Sequence, residues 1–351
     1  MHWRRCGPWL RRALTLGLLL LGATLWARHL RAADWHGMLG VIEATPHEAL
    51  LEALGLAAAS YCVYACFDLV ARRVTGVHVA WRRMWTIGLV SHACALNLGP
   101  AGVGFRLRLY TRHGIGAAMA AAIWIFNVAT NWLGFVLLAG LAFASGAMSL
   151  PQQWGIVTAT SQPIGVALLG AVVIYLVACG LAHGRSWTVM GRELTLPSLP
   201  LAALQCLLSA ANWCVLAALL TVLLQGHTGF IDVLGALMTS ALALAVVDVP
   251  GGLGVTETVF LALLGSQVPA DQLLAALLAY RAIYFLGPLV AALVAYVMLE
   301  FDAGAYRARR QHLRDVSALL RSPHARSHAP LRDATAPPAR RPSSGSRRSP
   351  P

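Results

Sequence analysis

Lysine is missing altogether from this 351-residue chain, and acidic residues are scarce, with 14 Asp and Glu against 27 basic residues that are all arginine. Charged residues make up only 12% and hydrophobic ones 58%, so the chain lacks the polar surface of a soluble globule. The net charge of +13 therefore does not point to nucleic acid. Its arginines lie in loops and tails between apolar runs, where they act as topology signals. The all-arginine usage is a matter of composition, and no function is drawn from it. Cysteines are few and scattered, seven in all. Cys62 and Cys66 lie one turn apart, but no Cys/His set has ligand spacing, so they read as apolar fillers with no metal or other cofactor implied. The patterns G-x-S-x-G and H-E-x-x-H and the P-loop are absent. Ser91 and His92 are adjacent, yet neighbouring residues of a helix point apart and form no dyad. No enzyme is read from these residues.

Long apolar runs are what the chain does have. Runs of about 18 or more apolar residues suit a bilayer-crossing helix, and the fold class is read as an all-α polytopic membrane protein. Full spans are placed at 13–27, 49–71, 115–145, 163–182, 201–224 and 273–299, after a basic cytoplasmic N-terminus at 1–12. The first of these resembles a signal peptide without a clear cleavage site, which favours a retained span. Residues 300–351, rich in Arg, Pro and Ser, hold too few apolar residues for a core and read as a disordered cytoplasmic tail.

Two apolar segments, 84–98 and 233–266, do not read as crossings. The first runs into NLGPAGVGFRLRLYTR, and VPGGLG splits the second. Short lengths broken at Pro and Gly suit re-entrant hairpins, which leave by the face they entered. With both re-entrant, only Arg28 and Arg31 face out and Arg281 lies within the membrane, so the positive-inside rule favours this arrangement with both termini cytoplasmic. The motif Pro100, Gly102 and Gly104 recurs at Pro250, Gly252 and Gly254. Each copy follows two spans and precedes one, which gives two inverted repeats, about 13–145 and 163–299. Broken segments at matching places of inverted halves point to a transporter-type site near the midplane.

In DVPGGLGVTE, residues 248–257, Pro250 ends one half-helix, Gly251, Gly252 and Gly254 allow close backbone approach, and the returning half-helix starts near Thr256. Arg281, inside AYRAIYFLGPL with Tyr284, needs an anion: a phosphate, Glu257 or Asp248. Glu257 either sits favourably at a positive helix end or serves as a counter-charge or proton-coupling carboxylate. Asp248 caps or braces the elbow, or shares that role. Arg106, Arg108 and Arg112 read as surface residues that enforce topology, touch anionic head groups and guide a lipid inward. Asn127 and Asn131 share a face and read as interhelical hydrogen-bonding residues, as does Asn212. Asn97 joins the first elbow to the candidate site. His92 reads as a bonded structural histidine ahead of a proton relay. Tyr61, Tyr64 and Asp68 share a face, and Asp68 is expected to pair with Arg72 one turn on.

The stretches NLGPAGVGFRLRLYTRHG, TNWLGFVLLAG, VPGGLGVTETVFLALL and AYRAIYFLGPLVAAL together resemble the transmembrane flippase region of lysylphosphatidylglycerol synthases, over about residues 10–300. The resemblance implies a multi-pass protein of the bacterial inner membrane, in a family whose two-domain members make an aminoacylated lipid and move it between leaflets. The soluble aminoacyl-transfer domain of those members has no counterpart here, so synthase activity is not carried over. The function expected is lipid transport: a flippase-like translocator whose head-group path runs between the two elbows, with membrane lipids, anionic phospholipids first, as partners. The alternative is a non-transporting scaffold that presents lipid to a separate lipid-modifying enzyme. An intramembrane enzyme would change the lipid chemically.

Overall fold

Hydrocarbon offers no partner to a backbone N–H or C=O, so a chain of this composition satisfies its main chain within helices. The computed structural model describes residues 45–147, 161–181, 186–189, 192–247 and 254–298. Among the described residues there are nine helices. They are α1 (His47–Thr75), α2 (Trp81–Leu98), α3 (Pro100–Arg112), α4 (Ala117–Ala144), α5 (Ser161–Leu181), α6 (Leu199–Leu223), α7 (Phe230–Val247), α8 (Val255–Leu264) and α9 (Ala270–Met298). Within α9, Arg281–Leu286 is wound as a π-helical turn. The described chain is helical apart from one antiparallel hairpin between α5 and α6, in which Ser186–Val189 pairs with Arg192–Thr195.

Five helices, α1, α4, α5, α6 and α9, are long and apolar enough to cross a membrane. They fall on the expected spans from 49–71 onward. The expected first span at 13–27, the basic segment 1–12 and the tail 300–351 lie outside the described residues. The two awkward segments form pairs of shorter helices, α2 with α3 and α7 with α8. The order long helix, short pair, long helix therefore occurs twice, as α1 to α4 and as α6 to α9.

The first pair doubles back at Gly99, whose φ of 52° and ψ of −128° a side chain would strain. Pro100 then opens α3 at its first position, where a missing N–H costs nothing. Beyond the bend, a Cβ on Gly102 would stand 2.4 Å from the Ala95 Cα and the Cys94 carbonyl oxygen. Only glycine lets α3 lie so close along the end of α2. In the second pair α8 begins at Val255, beside Thr256 as expected, after Gly254 at φ 80°.

Polarity is distributed inversely to that of a soluble protein. Ile174 is 71% exposed and Leu181 80% exposed, while Ser60, Asp68, Asn127, Thr130, Gln205 and Ser209 are buried. Apolar side chains can face lipid at no cost, whereas polar ones must find each other inside. Gln205 of α6 donates to Thr130 of α4 at 2.7 Å and accepts from Tyr175 of α5 at 2.8 Å. Small residues bring these helices together: a Cβ on Gly134 would meet Ser209 Oγ at 2.2 Å and the Ala210 nitrogen at 2.4 Å, and one on Gly165 would meet the Ala144 nitrogen at 2.3 Å.

Two measurements check this arrangement. Single cysteines at the exposed positions His78 and Thr111, placed in a background without the native cysteines, should label from the same membrane face; labelling from opposite faces would make α2 and α3 one crossing. Gly134→Leu should lower the unfolding free energy in detergent by more than the ~1–3 kcal/mol usual for overpacking, because backbone must move. Gly55→Leu, with nothing within 4 Å of its Cβ position, should not.

Candidate functional site

An arginine in the middle of a span costs about 2.5–3.5 kcal/mol on insertion scales and needs a compensating anion. For Arg281 that anion is Glu257. Arg281 Nε donates to Glu257 Oε1 at 2.7 Å and its Nη2 donates to Oε2 at 3.0 Å. A two-point, charge-assisted contact of this kind fixes orientation as well as position. The same Oε2 accepts from the Gly254 N–H at 2.9 Å, one of the donors a helix start leaves without an intrahelical partner. The carboxylate thus ties the second elbow, the first turn of α8 and the middle of α9. The pair is not sealed, since the side chains of Arg281 and Glu257 remain 11% and 20% exposed. Asp248, Pro250, Gly251 and Gly252 lie outside the described residues.

The first half holds a second ion pair, more deeply buried. Arg106 Nη1 donates to Asp68 Oδ1 at 2.8 Å, with the two side chains 3% and 0% exposed. Tyr110 Oη also donates to Asp68 Oδ1, and Asn127 Nδ2 does so at 2.9 Å. This corrects two expectations. Arg106 is not a surface residue at a lipid head group, because its own helix turns it inward beside Gly102, Phe105 and Leu109, which line the buried side of α3. Asp68 pairs with Arg106 rather than Arg72, whose Nε donates to the Val79 carbonyl at 2.6 Å. The interhelical reading of Asn127 holds.

A set of polar groups gathers at the π turn that begins with Arg281. A π turn bonds i to i+5 and loosens the local backbone ladder, and here two of its carbonyls accept from side chains on other helices. Tyr61 Oη donates to the Tyr284 carbonyl at 3.0 Å, and Asn97 Nδ2 donates to the Phe285 carbonyl at 3.1 Å. The Tyr284 hydroxyl lies 3.1 Å from Ser60 Oγ and 3.3 Å from His92 Nε2. Ser60 in turn donates to Asn212 Oδ1 at 2.8 Å, so α1, α2, α6 and α9 meet at one tyrosine. Tyr64 stacks on His92 with ring centroids 3.5 Å apart. Tyr284 and Asn97 therefore belong to one constellation. Asn131 stands apart from it: its carbonyl accepts from Ser209 at 2.8 Å and from Trp213 at 3.2 Å. Pro100 and Gly102 shape the first elbow.

Asp68, Tyr110, Ser60 and Asn212 do not read from sequence as one polar core. A signal is present for Tyr110, which stands one helical turn from Arg106 on the side of α3 that carries Gly102, Phe105 and Leu109. The arrangement presents one partly open arginine–carboxylate pair and one sealed pair.

Comparison with known proteins agrees with this architecture. The family described as "Lysylphosphatidylglycerol synthase TM region" matches residues 12–292. The chain is 36% identical over 304 residues to the "Inner membrane protein YbhN" of Escherichia coli (strain K12), covering 86% of this chain and 96% of that one. It is 31% identical over 287 residues to the "Uncharacterized protein slr0712" of Synechocystis sp. (strain ATCC 27184 / PCC 6803 / Kazusa), covering 79% and 87% respectively. With a match across most of its length and several helices able to span a membrane, the chain belongs to the family of the lysylphosphatidylglycerol synthase transmembrane region and is an integral membrane protein.

Proposed function

We propose that this protein is a lipid translocator of the bacterial inner membrane, moving a phospholipid head group between leaflets while the acyl chains stay in the bilayer. The location is taken from the Escherichia coli relative, an inner membrane protein by name. The observation that carries the reading is the partly exposed Arg281–Glu257 pair beside the second elbow, joined through Tyr284 to the first. A head group crossing hydrocarbon must have its lost water replaced by fixed polar groups. Arg281 supplies that replacement for a lipid phosphate, and Glu257, released from Arg281, becomes a counter-charge for a cationic amine on the same head group. The two hairpins are re-entrant on this reading, the halves are inverted, and both termini face the cytoplasm. Asp248, Pro250, Gly251 and Gly252 belong to the same path at the second elbow.

Purified protein in proteoliposomes should speed the leaflet exchange of labelled phospholipids above the rate of protein-free vesicles. Arg281→Ala removes a hydrogen-bonded charge worth about 1.5–3 kcal/mol and should slow exchange by about tenfold or more. Glu257→Gln should slow lipids with a cationic head group more than phosphatidylglycerol. Rates equal to those of empty vesicles for every head-group class would end the reading.

A further inference from the structure

Three buried polar side-chain atoms among the described residues have no hydrogen-bond partner: Asp68 Oδ2, Ser91 Oγ and Asn127 Oδ1. Two of them lie at the Asp68 carboxyl group. Asn127 donates to its other oxygen, and Ser91 stands one turn along α2 from Gly88, against which Oδ2 presses; a Cβ on Gly88 would be 2.5 Å from Oδ2. The two oxygens of Asp68 are thus unlike. Oδ1 takes three donors, from Arg106, Tyr110 and Asn127, and Oδ2 takes none. Buried acceptors left bare are rare enough to need a cause.

We infer that Asp68 Oδ2 is a proton-binding site, and that Asp68 exchanges Arg106 for a proton when the α2–α3 hairpin moves. A proton fits where a hydrated metal ion does not, since Gly88 already occupies the space on one side of Oδ2 and a proton adds no volume. While Arg106 is in place the carboxylate is compensated. When α3 carries Arg106 away, a lone buried carboxylate neutralises by taking up a proton, which forms an O–H bond at Oδ2. Arg106 stays protonated throughout, so each event takes in one proton and frees one positive charge on α3. No electrons move and no other reactant is required. On the proposed translocator reading, this exchange supplies the energy coupling, with protons driving the hairpin.

Other groups face the same site. Tyr64 lies on the same helix as Asp68, His92 comes from α2 and stacks on Tyr64, and Tyr110 comes from α3. From α9, Tyr284 reaches His92, and α4 contributes the neutral Asn127. Among these neighbours His92 is the one whose ordinary titration lies near neutrality, so it has to be separated by mutation.

The test is infrared difference spectroscopy of the full chain in nanodiscs of phosphatidylglycerol and phosphatidylethanolamine, titrated between about pH 3 and pH 9 to cover the ordinary range of both groups, with lipid exchange under an imposed pH gradient measured in parallel. A carbonyl band of protonated carboxylic acid, over and above the bands that the other carboxyls give in every variant, should rise on acidification in the wild type and in His92→Gln, and be missing in Asp68→Asn. Arg106→Gln, which leaves the carboxyl without its counter-ion, should carry the band without acidification. The double variant Asp68→Asn with Arg106→Gln removes both charges together and serves where the single variant fails to fold; it too should lack the band. A wild-type band that survives in the double variant, or no band at any pH, overturns the proton site even if lipids exchange. A band lost with Asp68 supports the site even if no lipid moves, in which case only the translocator reading fails.

Discussion

In a bilayer the alternative to an internal partner for a charge is hydrocarbon, and the carboxylate of Asp68 gathers its neighbours under that constraint. It draws Arg106 and Tyr110 of α3 and Asn127 of α4 to one oxygen of a residue on α1, while α2 comes against its other oxygen at Gly88. Four helices are located by one side chain. Removing a single partner from a buried pair costs about 3–5 kcal/mol, although a well-packed apolar replacement of both can be neutral. The pair is therefore better understood as fixing which arrangement forms than as a large source of stability. The first hairpin cannot slide by a turn without stranding Arg106.

The second pair uses the same chemistry with a different seal. Asp68 and Arg106 are almost wholly enclosed, whereas Glu257 and Arg281 keep part of their surface open. Enclosure removes competitors, so an enclosed pair changes partner only when a helix moves. An open pair can change partner with the helices in place. On the translocator reading, the two halves of the chain thus repeat an order of elements but divide the work of recognition and of movement between them.

Most of the helical frame is legible in the sequence. The spans from 49–71 onward coincide with α1, α4, α5, α6 and α9 to within a few residues, because length and apolarity alone decide which segments suit a bilayer. The bend at Gly99 is legible from Pro and Gly, since few other residues accept its backbone angles. The partner of Arg281 is one of the three anions expected. Hidden from the sequence is the inward turn of Arg106. It stands in a run with Arg108 and Arg112 that reads as a basic surface, but a helix sends Arg106 and Tyr110 to one side and Arg108 and Arg112 to another. The expected pairing of Asp68 with Arg72 fails for a related reason, since proximity along a helix says nothing of a carboxylate's neighbours on other helices. The hairpin at 186–195 escapes a sequence reading because two four-residue strands leave no periodic signal of useful length.

The π turn in α9 sets the phase of the whole last helix. One buried row along it runs through Leu273, Leu277, Tyr280 and Tyr284, then Leu289, Ala292 and Tyr296, with Ala276 and Ala279 buried beside it. The steps are of three or four residues, as one face of an α-helix requires, except for the step of five from Tyr284 to Leu289. An unbroken α-helix advances about 100° per residue, so with the same residues wound as plain α-helix the two ends of α9 would present different sides to the bundle. Either Tyr284 would leave the polar core or Tyr296 would leave its edge-on contact with Phe105. The wider turn lets a single rod keep both appointments, with the second half's tyrosine docked on the first half's hairpin.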